Sequence, residues 1–234
     1  MMLTDYLQNT QKKIVEKLDN FYTPGGIHVY IQEPLTGDNI DIEEVIGRFE
    51  DLVPQHLRSE IEMVIIGWFS EFEERNINAF YKDGALYISN IQDDPDDLFD
   101  DLVHEVAHSI ESLYGYEIYV DQKIKNEFLR KRKYLHDMLW QKGFKAPLNI
   151  FMNSEYDKEF DMFLYKKIGY GKLSSICQGL FVSAYAPTSL QEYFATGFTE
   201  YYLNSNHDFL KKVSPQLYKK LSLLHNPEKL NNIT

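Results

Sequence analysis

Cysteine is almost missing from this chain: Cys177 is the only one in 234 residues. An intrachain disulfide is therefore excluded, and so are Cys₄ and Cys₂His₂ zinc sites and the paired cysteines of a zinc deaminase. Positive charge is scarce too, with 24 Lys and Arg against 36 Asp and Glu. The resulting net charge of −12 argues against a general nucleic-acid binder, which needs a basic stripe to neutralise phosphates. It also repels anionic membrane surfaces and, at long range, favours basic substrates. Long hydrophobic runs are absent. The longest uncharged apolar stretch, Met63 to Ser70, is far too short to span a bilayer. Met1 to Asn20 mixes apolar residues with Asp5, Gln8, Lys12, Lys13 and Glu16, which predicts an amphipathic helix and lacks the apolar centre of a signal peptide. Repeats and low-complexity linkers are missing as well. These absences lead to the expectation of a cytoplasmic protein with neither nucleic acid nor membrane as partner.

Aromatic residues are plentiful, with 17 Tyr and 15 Phe, so the core and any substrate groove should be rich in rings. Thr23-Pro24-Gly25-Gly26 is a turn cluster that no helix crosses. A short strand is expected over Ile27 to Ile31 and a helix over Ile40 to Leu52, where Ile42, Val45, Ile46 and Phe49 fall at helical spacing. Ile61 to Phe72 is ambiguous, β-branched within and acidic at its ends. Ile77 to Tyr81 and Ala85 to Ser89 flank Lys82-Asp83-Gly84, a hairpin signal. A strand just ahead of the next helix would suit the edge of a cleft, where an extended peptide can add as a further strand.

Asp93-Asp94-Pro95-Asp96-Asp97 opens that helix. Asp94 is a good N-cap, Pro95 suits the first helical position, and acids in the first turn complement the helix dipole. The acid run lacks the spacing of an EF-hand calcium loop. The helix should end near Gly115. Further helices are expected over Asn126 to Lys142, Glu155 to Ile168, Leu190 to Leu203 and Asp208 to Leu224. The basic cluster Arg130-Lys131-Arg132-Lys133 is read as a solvated face.

The acid-capped helix carries His104-Glu105-Val106-Ala107-His108, the HExxH pattern. Residues four apart on a helix share a face with Cβ atoms about 5–6 Å apart. Both imidazoles can therefore approach one zinc ion at about 2.0–2.1 Å. Glu105 points about 100° around the helix. It can take a proton from a water on the metal without ligating the ion itself. A catalytic site needs a third ligand and an open position. The metzincin extension fails, because Glu111 stands in place of its glycine and Tyr114 in place of its third histidine. Thiolates are excluded, which leaves carboxylates: Glu111, Glu155, Asp157, Glu159, Glu192 and Glu200. Glu192 is favoured, since it follows a helix-start signal at Pro187-Thr188-Ser189 and stands beside the aromatic pair Tyr193-Phe194.

HEVAH, then Tyr185, then Glu192-Tyr193-Phe194-Ala195-Thr196-Gly197-Phe198 resembles the zincin domain of anthrax lethal factor and its relatives, the Pro-Pro endopeptidases and MtfA-type peptidases. The second motif of that family reads E-F-F-A-E-A-F. The resemblance implies that His104, His108 and Glu192 ligate zinc and that Glu105 acts as general base and acid. It also implies that Tyr185, seven residues before Glu192, donates a hydrogen bond to the developing oxyanion. Two features depart from the family pattern. The interval from His108 to Glu192 is long, as if two helices were inserted as a wall or lid, and Thr196 replaces the motif's second acid.

The expected fold is therefore α+β and zincin-like, a small, mostly antiparallel sheet with an HExxH helix and a helical C-terminal half. It is expected as a single domain over residues 1–234, with a helical N-terminal segment over about 1–60, a core over about 61–203 and a C-terminal helix over about 208–225. The expected activity is zinc-dependent hydrolysis of a peptide or protein substrate with narrow specificity. The alternative is a zinc-binding or interaction domain that keeps the fold without catalysis.

Overall fold

The computed structural model describes residues 20–226, apart from 38, 39 and 76, together with residue 228. The amphipathic helix expected over Met1 to Asn20 falls on residues 1–19, outside the described residues; Asn20 itself opens the first strand. The chain divides into two compact units, Met1–Ser109 and Ile110–Thr234.

The first unit is built on a five-stranded sheet. Strands β1 (Asn20–Tyr22), β2 (His28–Ile31), β3 (Met63–Gly67), β4 (Ala79–Lys82) and β5 (Ala85–Ser89) lie in the order β1-β2-β3-β5-β4. The outer pairs are antiparallel, whereas β2–β3 and β3–β5 are parallel. The sheet is thus mixed rather than mostly antiparallel. Local hairpin signals are visible in a sequence, but parallel pairing needs a long crossover that leaves no local signature. Here the crossover from β2 to β3 contains helix α1 (Ile42–Leu52), and the connection from β3 contains helix α2 (Ser70–Arg75) before the chain reaches β4. Asp83 and Gly84 both have positive φ, 49° and 84°, as a two-residue hairpin loop with the sheet's twist requires. That hairpin makes β4 the edge and leaves β5, the strand just ahead of the next helix, between two neighbours. The segment 61–72, ambiguous in sequence, resolves into β3 followed by the start of α2.

Register places Val29, Val64 and Leu86 in one row across the sheet, and Ile31, Ile66 and Ile88 in the next. Val29, Val64, Ile66, Leu86 and Ile88 are fully buried. Phe80 and Tyr87 stack at 4.5 Å and meet Phe69 and Phe72 edge-on. Helix α3 (Pro95–Tyr119) follows. Asp94 caps it as expected, its Oδ1 accepting from the backbone N–H of Asp96 at 2.8 Å and of Asp97 at 3.0 Å. The helix passes through Gly115 without a break, and the reversal comes at Gln122, which has a φ of 57°.

The second unit contains the end of α3, Ile110–Tyr119, followed by α4 (Lys123–Gln141), α5 (Leu148–Phe151), α6 (Lys158–Met162) and a π-helical stretch, Phe163–Ile168. Next come α7 (Tyr170–Cys177), α8 (Leu190–Leu203), α9 (Asp208–Val213) and α10 (Pro215–Leu224). The single helix expected over Asp208 to Leu224 is two, because Pro215 lacks the N–H an unbroken helix would use and instead opens α10. Gly197 faces α10 so closely that a Cβ there would lie 2.2 Å from Leu217 Cδ2.

The basic cluster on α4 is not a solvated face. Lys131 and Arg132 are buried, while Arg130 and Lys133 keep more exposure. Lys131 Nζ donates to Ser214 Oγ at 2.7 Å. The Arg132 guanidinium donates to the carbonyls of Asn153 at 2.7 Å and Ile150 at 2.6 Å, and lies 4.0 Å from the Phe160 ring centre. Among the described residues, no helix is long and apolar enough to cross a membrane.

Candidate metal centre

On α3, Leu98, Phe99, Leu102, Val103, Val106 and Ala107 form a helical stripe with no exposure. That stripe fixes the rotation of the helix and leaves His104 and His108 half-buried on a different side. Their rings lie 5.1 Å apart, centre to centre, at 71°. The candidate ligand atoms of His104, Glu105 and His108 all fall within 4.8 Å of one another. Glu105 is only 7% exposed.

Two acids stand one turn before His104. Burial pushes the Asp101 carboxyl up to about 6, against the hydrogen bond Gln92 Nε2 donates at 3.1 Å, and Asp97 and Asp100 add to the rise. Burial raises Asp100 likewise, and the charge of His104 opposes the rise in both. Two imidazoles one turn apart are donors that suit zinc, and with Glu105 beside them they form a group that could hold a metal ion.

The second unit brings Glu192 and Tyr185 together. Ser189 caps α8, its Oγ accepting from the backbone N–H of Glu192 at 3.1 Å, which sets Glu192 in the first turn. Tyr185 is half-buried, and its ring meets that of Tyr170 edge-on at 6.1 Å. Burial, and then the charge of Glu192, hold the Tyr185 proton on the phenol far above its ordinary range. The Tyr170 phenol is raised too, first by burial and then by Asp161, to which it donates at 3.1 Å; Tyr156 donates to the same carboxylate at 3.2 Å. Sequence reasoning missed Tyr170 and Asp161 because it ran one helix through Glu155 to Ile168. The π-helical stretch and the positive φ of Gly169 instead turn the chain there.

Four of the other carboxylates considered as ligands, Glu111, Glu155, Asp157 and Glu200, have structural partners. Glu111 accepts from the Tyr119 phenol and, at 3.0 Å, from Gln191 Nε2. Burial raises its pKa, and Glu192 and Glu155 add to the shift. Asp157 caps α6 by accepting from the backbone N–H of Phe160 at 2.9 Å. Glu155 accepts from Ser154 Oγ at 3.2 Å, and Glu159 is exposed on α6. Glu200 sits near the end of α8, where burial raises it and Asn204 and His207 lower it. Thr196, at the position of the missing acid, donates its hydroxyl to the Glu192 carbonyl at 2.7 Å. No protein-family model matches the chain, and no curated protein or solved structure is significantly similar to it.

Proposed function

We propose that the chain is a zinc-dependent endopeptidase with a zincin-like fold, acting on a peptide or protein substrate with narrow specificity. The observation that carries this reading is the His104–Glu105–His108 group, two imidazoles one turn apart on α3 with a buried carboxylate between them in sequence. His104 and His108 would hold the ion, and Glu192, fixed in the first turn of α8 by the Ser189 cap, is the proposed third ligand. When bound, zinc supplies Lewis acidity, bringing the pKa of a water to about 7 and polarising the scissile carbonyl. Glu105 takes the proton of the attacking water and passes it to the leaving amine. Tyr185, kept protonated by burial and by the charge of Glu192, donates its O–H to the carbonyl oxygen as negative charge grows there.

One observation favours the non-catalytic alternative. The hydroxyl of Thr196 turns back onto its own helix, so no second carboxylate stands one turn after Glu192. Both readings are tested by stripping the protein with a chelator and titrating zinc back. The peptidase reading expects one zinc per chain, loss of binding in His108→Ala, and cleavage within a peptide library only after zinc is restored. Zinc binding without any cleavage would favour the alternative, and failure to bind zinc would end both.

A further inference from the structure

Helix α8 carries the proposed ligand Glu192, and the next residue, Tyr193, ties its buried face to α4 by a hydrogen bond. Tyr193 is fully buried, its ring 5.4 Å from that of Phe128 and 5.9 Å, edge-on, from that of Phe181. Its phenol donates at 2.9 Å to Oε1 of Glu127, a carboxylate only 2% exposed on α4. The same carboxylate accepts from the backbone N–H of Leu217 at 3.2 Å and of Gln216 at 3.0 Å. Those two donors are in the first turn of α10 and have no partner within their helix. Ser214, which precedes that helix, makes no side-chain cap; its Oγ accepts from Lys131 instead. Glu127 therefore does the capping that Ser214 does not, and three donors offset the cost of burying its charge. Lys131, one turn along α4, lies 5.0 Å from the Tyr193 ring centre and balances the charge.

We propose that Glu127 and Tyr193 are positioning residues for Glu192, tying the direction of that carboxylate to α4 and to the C-terminal helix α10. The inference rests on the reading of Glu192 as a metal ligand. Neighbouring residues on a helix diverge by about 100°, so fixing the azimuth of Tyr193 fixes that of Glu192. A metal ligand must be held to within about 0.5 Å and 10–20° of its bonding geometry. The Ser189 cap constrains the start of α8, and the buried face of Leu190, Phe194, Ala195, Phe198 and Tyr202 sets its rotation coarsely. The buried hydrogen bond from Tyr193 adds a directional polar tie on that face, next to Glu192.

The test uses Tyr193→Phe, which deletes one hydroxyl, and Glu127→Gln, which keeps the shape and an acceptor. Zinc affinity is measured well below each variant's melting temperature, alongside the visible spectrum of the cobalt-substituted protein. Both variants should bind zinc about tenfold or more weakly, the usual cost of disturbing support behind a ligand, and should shift the cobalt bands. In a Glu192→Gln background, Tyr193→Phe should add nothing further to the loss. A purely structural role would lower the melting temperature and leave affinity and spectrum unchanged, which would overturn the proposal. If Glu192→Gln itself leaves zinc affinity unaltered, the ligand reading fails and this inference falls with it. If Glu192→Gln weakens binding while both positioning variants bind as the wild type does, only this inference fails.

Discussion

The two units both bury charge, and one buried charge stands apart from the rest. In the first unit Glu105 is buried in a core otherwise filled by Val29, Val64, Ile66, Leu86 and the apolar stripe of α3, and the Glu50 carboxylate, its side chain 8% exposed, pairs with Arg58 at 3.1 Å. The second unit buries Glu127, Lys131, Arg132 and Lys220, each bonded to a helix end or to the residue beside one. Glu127 caps α10, Arg132 takes carbonyls in and just beyond α5, and Lys220 takes the Glu117 carbonyl near the end of α3. Charge buried for structure thus comes with helix-end partners in the second unit. In the first unit the Glu50–Arg58 pair is of the same kind, Arg58 donating to the carbonyls of Glu50 and Val53 at the end of α1. Glu105 differs from all of these in lying between two histidines that could hold a metal ion with it.

The sharpest way to break that comparison is to remove Arg132. Arg132→Ala removes a buried guanidinium and leaves the carbonyls of Ile150 and Asn153 without their donor, and should cost about 3 kcal/mol in urea denaturation. A loss below about 1 kcal/mol would mean that the buried charges of the second unit are not structural. Lys131 comes next. Burial pulls its ammonium down to about 8 from 10.5, against the opposing pull of Glu127. Between those values the unfolded chain holds a proton that the folded one has lost, so stability rises with pH across that window. The difference between wild type and Lys131→Met should therefore change by about 2 kcal/mol from pH 8 to 10.5. A flat difference would show that Lys131 is already neutral or is solvated in solution. The smallest effect is in the first unit. Asp94→Ala removes the cap of α3 and should lower stability by about 1 kcal/mol in thermal or urea unfolding.

The parts that sequence reasoning reached are those with local signatures. The Ser189 start gave α8 its bounds, the Asp83-Gly84 pair its hairpin, and the acid run before α3 its cap. The grouping of His104, Glu105 and His108 was legible because it depends on spacing within one helix. The parallel pairing of β2, β3 and β5 was not, because partners distant in sequence share no local pattern. The burial of Lys131 did leave a signal. Glu127, Lys131 and Leu135 step by four along α4, in the same stripe as buried Ile124, Phe128 and Leu139. Reading the cluster by charge rather than by helical position concealed that. The continuation of α3 past Gly115 had no such signal, since a glycine in a helix costs only about 1 kcal/mol and packing decides.

Glu105→Gln tests the central claim most directly, because it removes the carboxylate's charge while keeping its shape. The metal-free variant should unfold within about 1 kcal/mol of the wild type, since an amide of the same shape can keep an accepting oxygen. It should bind one zinc as the wild type does, with peptide hydrolysis reduced by about 10²–10⁴. A variant that loses zinc, that unfolds at once, or that cleaves at the wild-type rate would contradict the assignment of Glu105 as the catalytic base.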